Sequence, residues 1–183
     1  MGWNGESYQR RFDELAATGR DVHGEADFVM GLSPASVLDA GCGTGRVAIE
    51  LDGRGVVVVG VDRDPSMLST ARIRAPQITW VESDLGELEL GRTFDVVVMA
   101  GNVLLFTPPG TEAAAVAGCG RHIGAGGALV AGFQVGPGYP LATYDKHCAA
   151  TGLVLVGRWT TWDRQAWAGH GDYAVSLHRR RSP

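Results

Sequence analysis

Short apolar runs alternate with helix-like segments through the middle of the chain, and this alternation constrains the fold most. The runs are rich in Val, Ile and Leu and lack the regular polar positions of a half-exposed strand. They therefore predict strands that are buried on both faces, as in a parallel sheet. The predicted strands are 36–40, 56–61, 78–82, 94–100 and 127–133, and the predicted helices between them are 44–53, 65–74 and 111–123. Such alternation favours a doubly wound α/β fold with helices on both faces of the sheet.

The two ends of the chain follow a different pattern. Apolar residues at helical spacing predict helices at 5–18 and 22–31, and a further helix is predicted at 141–152. Two strand-like runs, 153–162 and 172–179, are separated by a short loop, and short loops join antiparallel neighbours. We therefore expect five parallel strands followed by an antiparallel C-terminal hairpin at one edge of a seven-stranded sheet.

Length and composition are those of one globular domain spanning residues 1–183. The net charge of −4 provides no basic field for nucleic acid. Three cysteines without a C-x-x-C pair argue against a disulfide framework or a zinc ribbon, and we predict no metal site and a cytoplasmic location. The N-terminus shows no apolar signal core, and no run of about 18 apolar residues predicts a membrane span.

The stretch VLDAGCGTGR at residues 37–46 joins a predicted strand to a predicted helix. Its glycines, Gly41, Gly43 and Gly45, form G-x-G-x-G, whereas a dinucleotide fingerprint requires G-x-G-x-x-G and a P-loop requires Gly-Lys-Ser/Thr. Asp39 precedes the first glycine by two residues and would repel a phosphate. A carboxylate at this point suits a ligand with a positively charged group, although Asp39 could instead cap the following turn.

The segment VLDAGCGTGRVAIEL, residues 37–51, resembles motif I of the class I S-adenosylmethionine (SAM)-dependent methyltransferases. Three further segments resemble later motifs of that family in the same order: GVDRDPSML (60–68), WVESDLGEL (80–88) and FDVVVMAGNVLLF (94–106). The resemblance implies a Rossmann-like fold, SAM as the cofactor and S-adenosylhomocysteine as its product. It covers roughly residues 36 to 133 by motif, which we expect to form the cofactor-binding core, and the last hairpin by topology. Residues 141–183 are expected to form the C-terminal helix and hairpin.

The resemblance also assigns roles to individual residues. The methionine part of the cofactor is expected beside Asp39, Ala40, Gly41 and Gly43. The ribose hydroxyls are expected on Asp62, and the adenine is expected between Arg63, Met67, Asp84 and Leu85. The residues Ala100, Gly101 and Asn102 are expected at the catalytic edge.

The N-terminal segment, residues 1–31, is expected to cover the cofactor, as in similar small methyltransferases. Tyr8 and Arg11 are one turn apart in the predicted helix and can share a face. Arg11 is expected to be either a bidentate clamp for the carboxylate of the methionine part or a solvated surface charge. An in-line displacement at a sulfonium requires alignment more than acid–base help. The candidate general bases, none of which lies in a recognisable motif, are His23, His147, Asp163 and His170.

The methyl acceptor is expected to be a small molecule, with nucleic acid disfavoured. Trp159, Trp162 and Trp167 form either an apolar wall for that acceptor or part of the core. Two other functions are kept open. One is a non-catalytic SAM-binding module, and the other is an NAD(P)-dependent oxidoreductase, against which Asp39 and the missing third fingerprint glycine both count.

Overall fold

The computed structural model describes residues 23–181, which form a seven-stranded sheet with helices on both sides. The strand order is β3-β2-β1-β4-β5-β7-β6. The strands are β1 Ser36–Ala40, β2 Val57–Asp62, β3 Thr79–Glu82, β4 Phe94–Met99, β5 Ile123–Gln134, β6 Leu153–Trp159 and β7 Tyr173–Arg180. The first five pair in parallel, while β7 is antiparallel to both β5 and β6. The predicted doubly wound fold with an antiparallel C-terminal hairpin is confirmed.

Six α-helices lie within the described residues. They are α1 Gly24–Met30, α2 Arg46–Gly53, α3 Pro65–Arg74, α4 Val103–Phe106, α5 Glu112–Arg121 and α6 Leu141–Ala150. The first three pack on one face of the sheet and the last three on the other. Helix α3 begins as predicted, because the Asp64 carboxylate accepts a hydrogen bond from Ser66 N at 2.8 Å and Pro65 occupies the first helical position.

Two separate core clusters explain why the strand sequences are apolar without interruption. Neighbouring residues of one strand enter opposite clusters: Val37 packs under α1 and α2, and Leu38 packs on the side of α4 and α5. Both side chains are fully buried. A parallel sheet covered on both faces requires this arrangement.

Two boundaries differ from the prediction by more than two residues. Strand β5 begins at Ile123, four residues before the predicted start, because Ile123 pairs with Phe94 before a register shift in the ladder. Strand β6 ends at Trp159 and not at residue 162. The short helix α4 was not predicted, since four residues are too few to show a helical period. The predicted helix 5–18 lies outside the described residues.

Candidate active site

A cavity of about 670 Å³ opens at the carboxyl ends of β1, β2, β3 and β4. The order of the sheet reverses between β1 and β4, and ligands of open α/β sheets bind at such a switch point. The lining includes most of the residues expected to hold a cofactor: Asp39, Gly41, Gly43, Asp62, Arg63, Met67, Asp84, Leu85, Ala100, Gly101 and Asn102. Ala40 is fully buried in β1 and lies outside this lining.

The glycines of the first loop are required by the backbone and by packing. Gly41, Gly43 and Gly45 all have positive φ, between 55° and 82°, a region that other residues adopt only with strain. A Cβ on Gly41 would lie 2.6 Å from the methyl groups of Val103, and one on Gly45 would overlap the Trp80 ring. The sequence pattern suggested close approach of a ligand, whereas at Gly41 and Gly45 the neighbour that approaches is a side chain of the protein itself.

Asp39 is a buried carboxylate whose charge is costly. Its side chain is 2% exposed, and its Oδ2 accepts a hydrogen bond from Ala48 N at 3.1 Å, near the first turn of α2. Burial raises its pKa from 3.8 to about 7, opposed mainly by the Ala48 hydrogen bond and by the positive charge of Arg46. The side chain therefore caps a helix and also lines the cavity, where a cation would favour its ionised form.

Asp62 connects the first two loops of the site. Its Oδ2 accepts a hydrogen bond from Gly43 N at 2.7 Å, and its Oδ1 accepts one from Asp64 N at 2.9 Å. These bonds hold the carboxylate at the end of β2 and hold the glycine loop against it. Because a carboxylate oxygen accepts more than one hydrogen bond, both oxygens retain capacity for a ligand.

Asp84 presents one oxygen to the protein and the other to the mouth of the cavity. Its Oδ1 accepts a hydrogen bond from Gly86 N at 2.9 Å and so caps the short 3-10 turn Leu85–Glu87. Its Oδ2 lies 4.0 Å from Arg63 Nη1, and both side chains are exposed. This pair forms the rim of the cavity beside β3.

Asn102 fixes the opposite side of the site. Its φ of 68° is unusual for a residue other than glycine. Its Oδ1 accepts a hydrogen bond from Gln134 N at 2.7 Å, and its own N–H donates to Gly132 O at 3.2 Å. These bonds tie the end of β4 to the end of β5 and direct helix α4 over the cavity.

The four candidate bases all lie outside the lining. His23 precedes α1, with its Nδ1 3.3 Å from Glu50 Oε2. His147 lies on α6 and hydrogen-bonds with the hydroxyl of Tyr139 at 2.9 Å. The other two, Asp163 and His170, are exposed in the loop between β6 and β7.

The three tryptophans also lie outside the lining. Trp159 and Trp162 contact the Phe28 ring edge-on, with centroids 5.1 and 5.7 Å away, so they pack α1 against the hairpin. Trp167 is half-buried in the loop between β6 and β7. Tyr8 and Arg11 fall outside the described residues.

Several lining residues were missed by the sequence reasoning, and Arg46 is the clearest example. It begins α2 and binds Glu25 of α1 through two hydrogen bonds, at 2.5 and 3.0 Å, with both side chains 15% exposed. A charged residue directly after the glycine loop was the available signal. Helix α4 adds Val103 and Phe106 to the lining, and Thr107 follows directly after it. The segment 94–106 that carries the resemblance includes Val103 and Phe106, but no role was assigned to them.

Comparison with known proteins places this geometry in a family. Residues 37–127 match the model of a family described as a methyltransferase domain. The crystal structure of a TehB-like SAM-dependent methyltransferase from Corynebacterium glutamicum superposes with a TM-score of 0.90 and 33% identity, covering 97% of this chain and 98% of the other.

Curated relatives agree over shorter stretches. An amino-sugar enzyme of Streptomyces venezuelae, dTDP-3-amino-3,4,6-trideoxy-alpha-D-glucopyranose N,N-dimethyltransferase, is 32% identical over 67% of this chain and 52% of its own length. Trans-aconitate 2-methyltransferase of Azoarcus sp. is 30% identical over 69% of this chain and 49% of its own length. The chain spans about half, or less, of the curated relatives it matches first.

The full-length match at 33% identity, the family model over residues 37–127 and the cavity at the ends of β1 to β4 agree with one another. The chain belongs to the S-adenosylmethionine-dependent methyltransferases.

Proposed function

We propose that this chain binds SAM in the cavity and transfers its methyl group, by in-line displacement, to a small-molecule acceptor. One observation carries the proposal: three carboxylates, on Asp39, Asp62 and Asp84, lie at or just beyond the carboxyl ends of three neighbouring strands and line one cavity. With Asp64 as a fourth acid in the lining, against the two cations Arg46 and Arg63, the site is acidic overall. It therefore disfavours a phosphate-bearing ligand and suits one with an ammonium, hydroxyls and an amino group. This choice of groups fits the cofactor of the family.

Each carboxylate has a defined task in this proposal. Asp39 faces the ammonium of the methionine part, where a positive charge offsets the cost of ionising a buried acid. Asp62, already held by two backbone N–H groups, accepts the ribose hydroxyls. Asp84 offers Oδ2 to the adenine amino group, since Oδ1 is held by Gly86 N. Arg63 and Met67 flank the adenine.

The bound cofactor supplies a methyl group on a cationic sulfonium, which is already an activated leaving group. The remaining work of the protein is to align the acceptor atom with that carbon and sulfur and to exclude water. Ala100, Gly101 and Asn102 lie where the acceptor must approach, at the end of β4. A neutral amine attacks without a base, whereas a hydroxyl needs one.

Several broader features belong to the same proposal. In this proposal residues 1–183 belong to one domain. The segment 1–31, with Tyr8 and Arg11, is expected to cover the methionine part, and its residues 1–22 lie outside the described part of the chain. A small-molecule acceptor is supported by the names of the relatives, which act on an amino sugar and on trans-aconitate. The three cysteines are free thiols, which supports a reducing cytoplasm. No helix among residues 23–181 has the length and apolar character needed to cross a membrane.

The proposal is tested by calorimetric titration with S-adenosylhomocysteine, SAM and NAD. We expect the chain to bind S-adenosylhomocysteine and SAM but not NAD. A second assay measures the release of S-adenosylhomocysteine from SAM with a panel of acceptors, and this release distinguishes an enzyme from a passive binding module. Binding of NAD alone would contradict the proposal and favour an oxidoreductase.

The variant Asp84→Asn makes the assignment of the adenine specific. Its amide oxygen keeps the hydrogen bond to Gly86 N, so its NH2 group takes the place of Oδ2. Affinity for S-adenosylhomocysteine should fall about tenfold or more, because a charge-assisted hydrogen bond contributes about 1.5–3 kcal/mol. S-inosylhomocysteine carries an oxygen in place of the adenine amino group, and the Asn NH2 group can donate to that oxygen. The affinity of the variant for S-inosylhomocysteine should therefore rise relative to its affinity for S-adenosylhomocysteine. Asp52→Asn, on the far end of α2, is the matched control, and equal behaviour of the two variants would place the adenine elsewhere.

A further inference from the structure

The cavity has a charged half and an uncharged half. Every charged side chain of its described lining lies on or after β1, β2 or β3: Asp39, Arg46, Asp62, Arg63, Asp64 and Asp84. The segment after β4 adds only uncharged groups, which are Ala100, Gly101, Asn102, Val103, Phe106 and Thr107. The polar parts of the proposed cofactor match the charged half, which leaves the uncharged half for another molecule.

Helix α4, which forms the uncharged half, is fixed rigidly to the fold. Asn102 binds Gln134 and Gly132 of β5 through the two hydrogen bonds described above. Leu104 is 2% exposed and enters the core. Val103 lies against Gly41 so closely that a Cβ there would be 2.6 Å from its methyl groups. The helix is therefore a built wall of the site and not a loose connection.

Phe106 is exposed at the mouth of the cavity. Its side chain is 76% exposed although it lines the cavity, and Leu105 beside it is 38% exposed. A phenylalanine left in water forgoes the favourable free energy of burying its side chain, and its ring offers a flat face for stacking. An aromatic ring held in water at the rim of a cavity, on a fixed helix, is suited to contact a bound ligand.

We propose that Val103 and Phe106 form the acceptor subsite and that the acceptor presents an uncharged aromatic ring to Phe106. This inference rests on the proposed function, because it requires the charged half to be filled by the cofactor. The ring packs on Phe106 while the nucleophilic atom points past Asn102 toward the methyl carbon. A strongly anionic acceptor finds no cationic partner in the described part of this half and is excluded as the preferred class.

The test uses the full chain saturated with S-adenosylhomocysteine and two probes, indole and citrate, titrated by ligand-observed NMR. Indole should bind the loaded protein, and citrate should not compete with it. In Phe106→Ala the affinity for indole should fall about tenfold, which corresponds to about 1.4 kcal/mol, and Phe106→Tyr should restore it. Ile73→Ala removes another exposed apolar side chain, 81% exposed on α3 and outside the cavity lining, and should change nothing.

The outcomes separate this inference from the proposed function. If the wild-type chain does not bind S-adenosylhomocysteine, the proposed function fails and the inference fails with it. If S-adenosylhomocysteine binds but indole does not, or indole binds Phe106→Ala as well as wild type, only the acceptor subsite is refuted. If Phe106→Ala loses S-adenosylhomocysteine itself while its melting temperature is unchanged, Phe106 serves the cofactor, which also refutes the inference.

Discussion

Replacing Asp39 by Asn separates the charge of this side chain from its hydrogen bond. The amide oxygen of Asn can accept the same bond from Ala48 N that Oδ2 accepts at 3.1 Å. In the wild-type chain, burial raises the pKa of Asp39 from 3.8 to about 7. A carboxyl shifted in this way lowers the free energy of unfolding by about 4 kcal/mol once it is ionised in both states. Asp39→Asn should recover a large part of that energy at pH 8.

The dependence on pH has a definite sign. Between pH 4 and pH 7 the unfolded chain has released the Asp39 proton while the folded protein still holds it, so this group makes the wild type less stable as the pH rises. Above about pH 7 its contribution is constant, and below pH 4 it vanishes. The nearby charges of Arg46, Asp62 and Glu25 act on the same carboxyl, and they are unchanged in the variant. The stability difference between variant and wild type should therefore grow from near zero at pH 4 to its full value at pH 8.

Binding should move in the opposite direction. The ionised Asp39 faces the ammonium of the methionine part in our proposal, so wild-type affinity for S-adenosylhomocysteine should fall below pH 7. The Asn variant should bind at least about tenfold more weakly at pH 8, as expected for a lost charge-assisted hydrogen bond, and it should lose that pH dependence. The assays are urea denaturation and calorimetry at pH 4–8, with Asp52→Asn as control. A variant less stable than wild type at pH 8, or a stability gap independent of pH, would refute the reasoning.

Two further predictions concern the packing around the glycine loop. Gly45→Ala should lower the free energy of unfolding by about 2–5 kcal/mol, since it combines a positive φ with overlap of the Trp80 ring. Urea denaturation should show part of this stability restored in the double variant Gly45→Ala, Trp80→Leu. If the effects of the two substitutions on the free energy of unfolding simply add, the clash is contradicted. Glu25→Gln should lower the free energy of unfolding by about 1.5–3 kcal/mol, because it removes the carboxylate that binds the mostly buried Arg46. Asp27→Asn, which disrupts an exposed pair, should change the same measurement by less than about 1 kcal/mol, and equal effects would mean that burial of the Glu25 pair is unimportant.

Much of the fold could be predicted because it depends on local pattern. Val37 and Leu38 belong to an uninterrupted apolar run, and this is the signature of a strand covered on both faces. Asp64 and Pro65 start a helix through contacts within three residues. Strand β1 has the predicted bounds, 36–40. The carboxylates near the ends of β1 to β3 were assigned through the family resemblance, whose motifs place an acid at each of these positions.

Contacts between residues far apart in the sequence could not be predicted from local pattern. The contact between Gly45 and Trp80 spans 35 positions, and it gives the third glycine a packing reason that the G-x-G-x-G pattern does not contain. Phe106 stands at the cavity because Asn102 binds strand β5, about 30 residues later. Trp159 packs against Phe28 of helix α1 and does not form part of the acceptor wall, because α1 lies against the C-terminal hairpin.

The sequence by itself determined the order of strands and helices, the turn chemistry and the acids at the strand ends, because these depend on neighbours within a few residues. Only the tertiary structure decided that β7 inserts between β5 and β6, that Asp39 caps α2 as well as lining the cavity, and that the uncharged half of the site is built on α4. These features depend on burial and on contacts between distant segments, which form only when the helices have packed on both faces of the sheet.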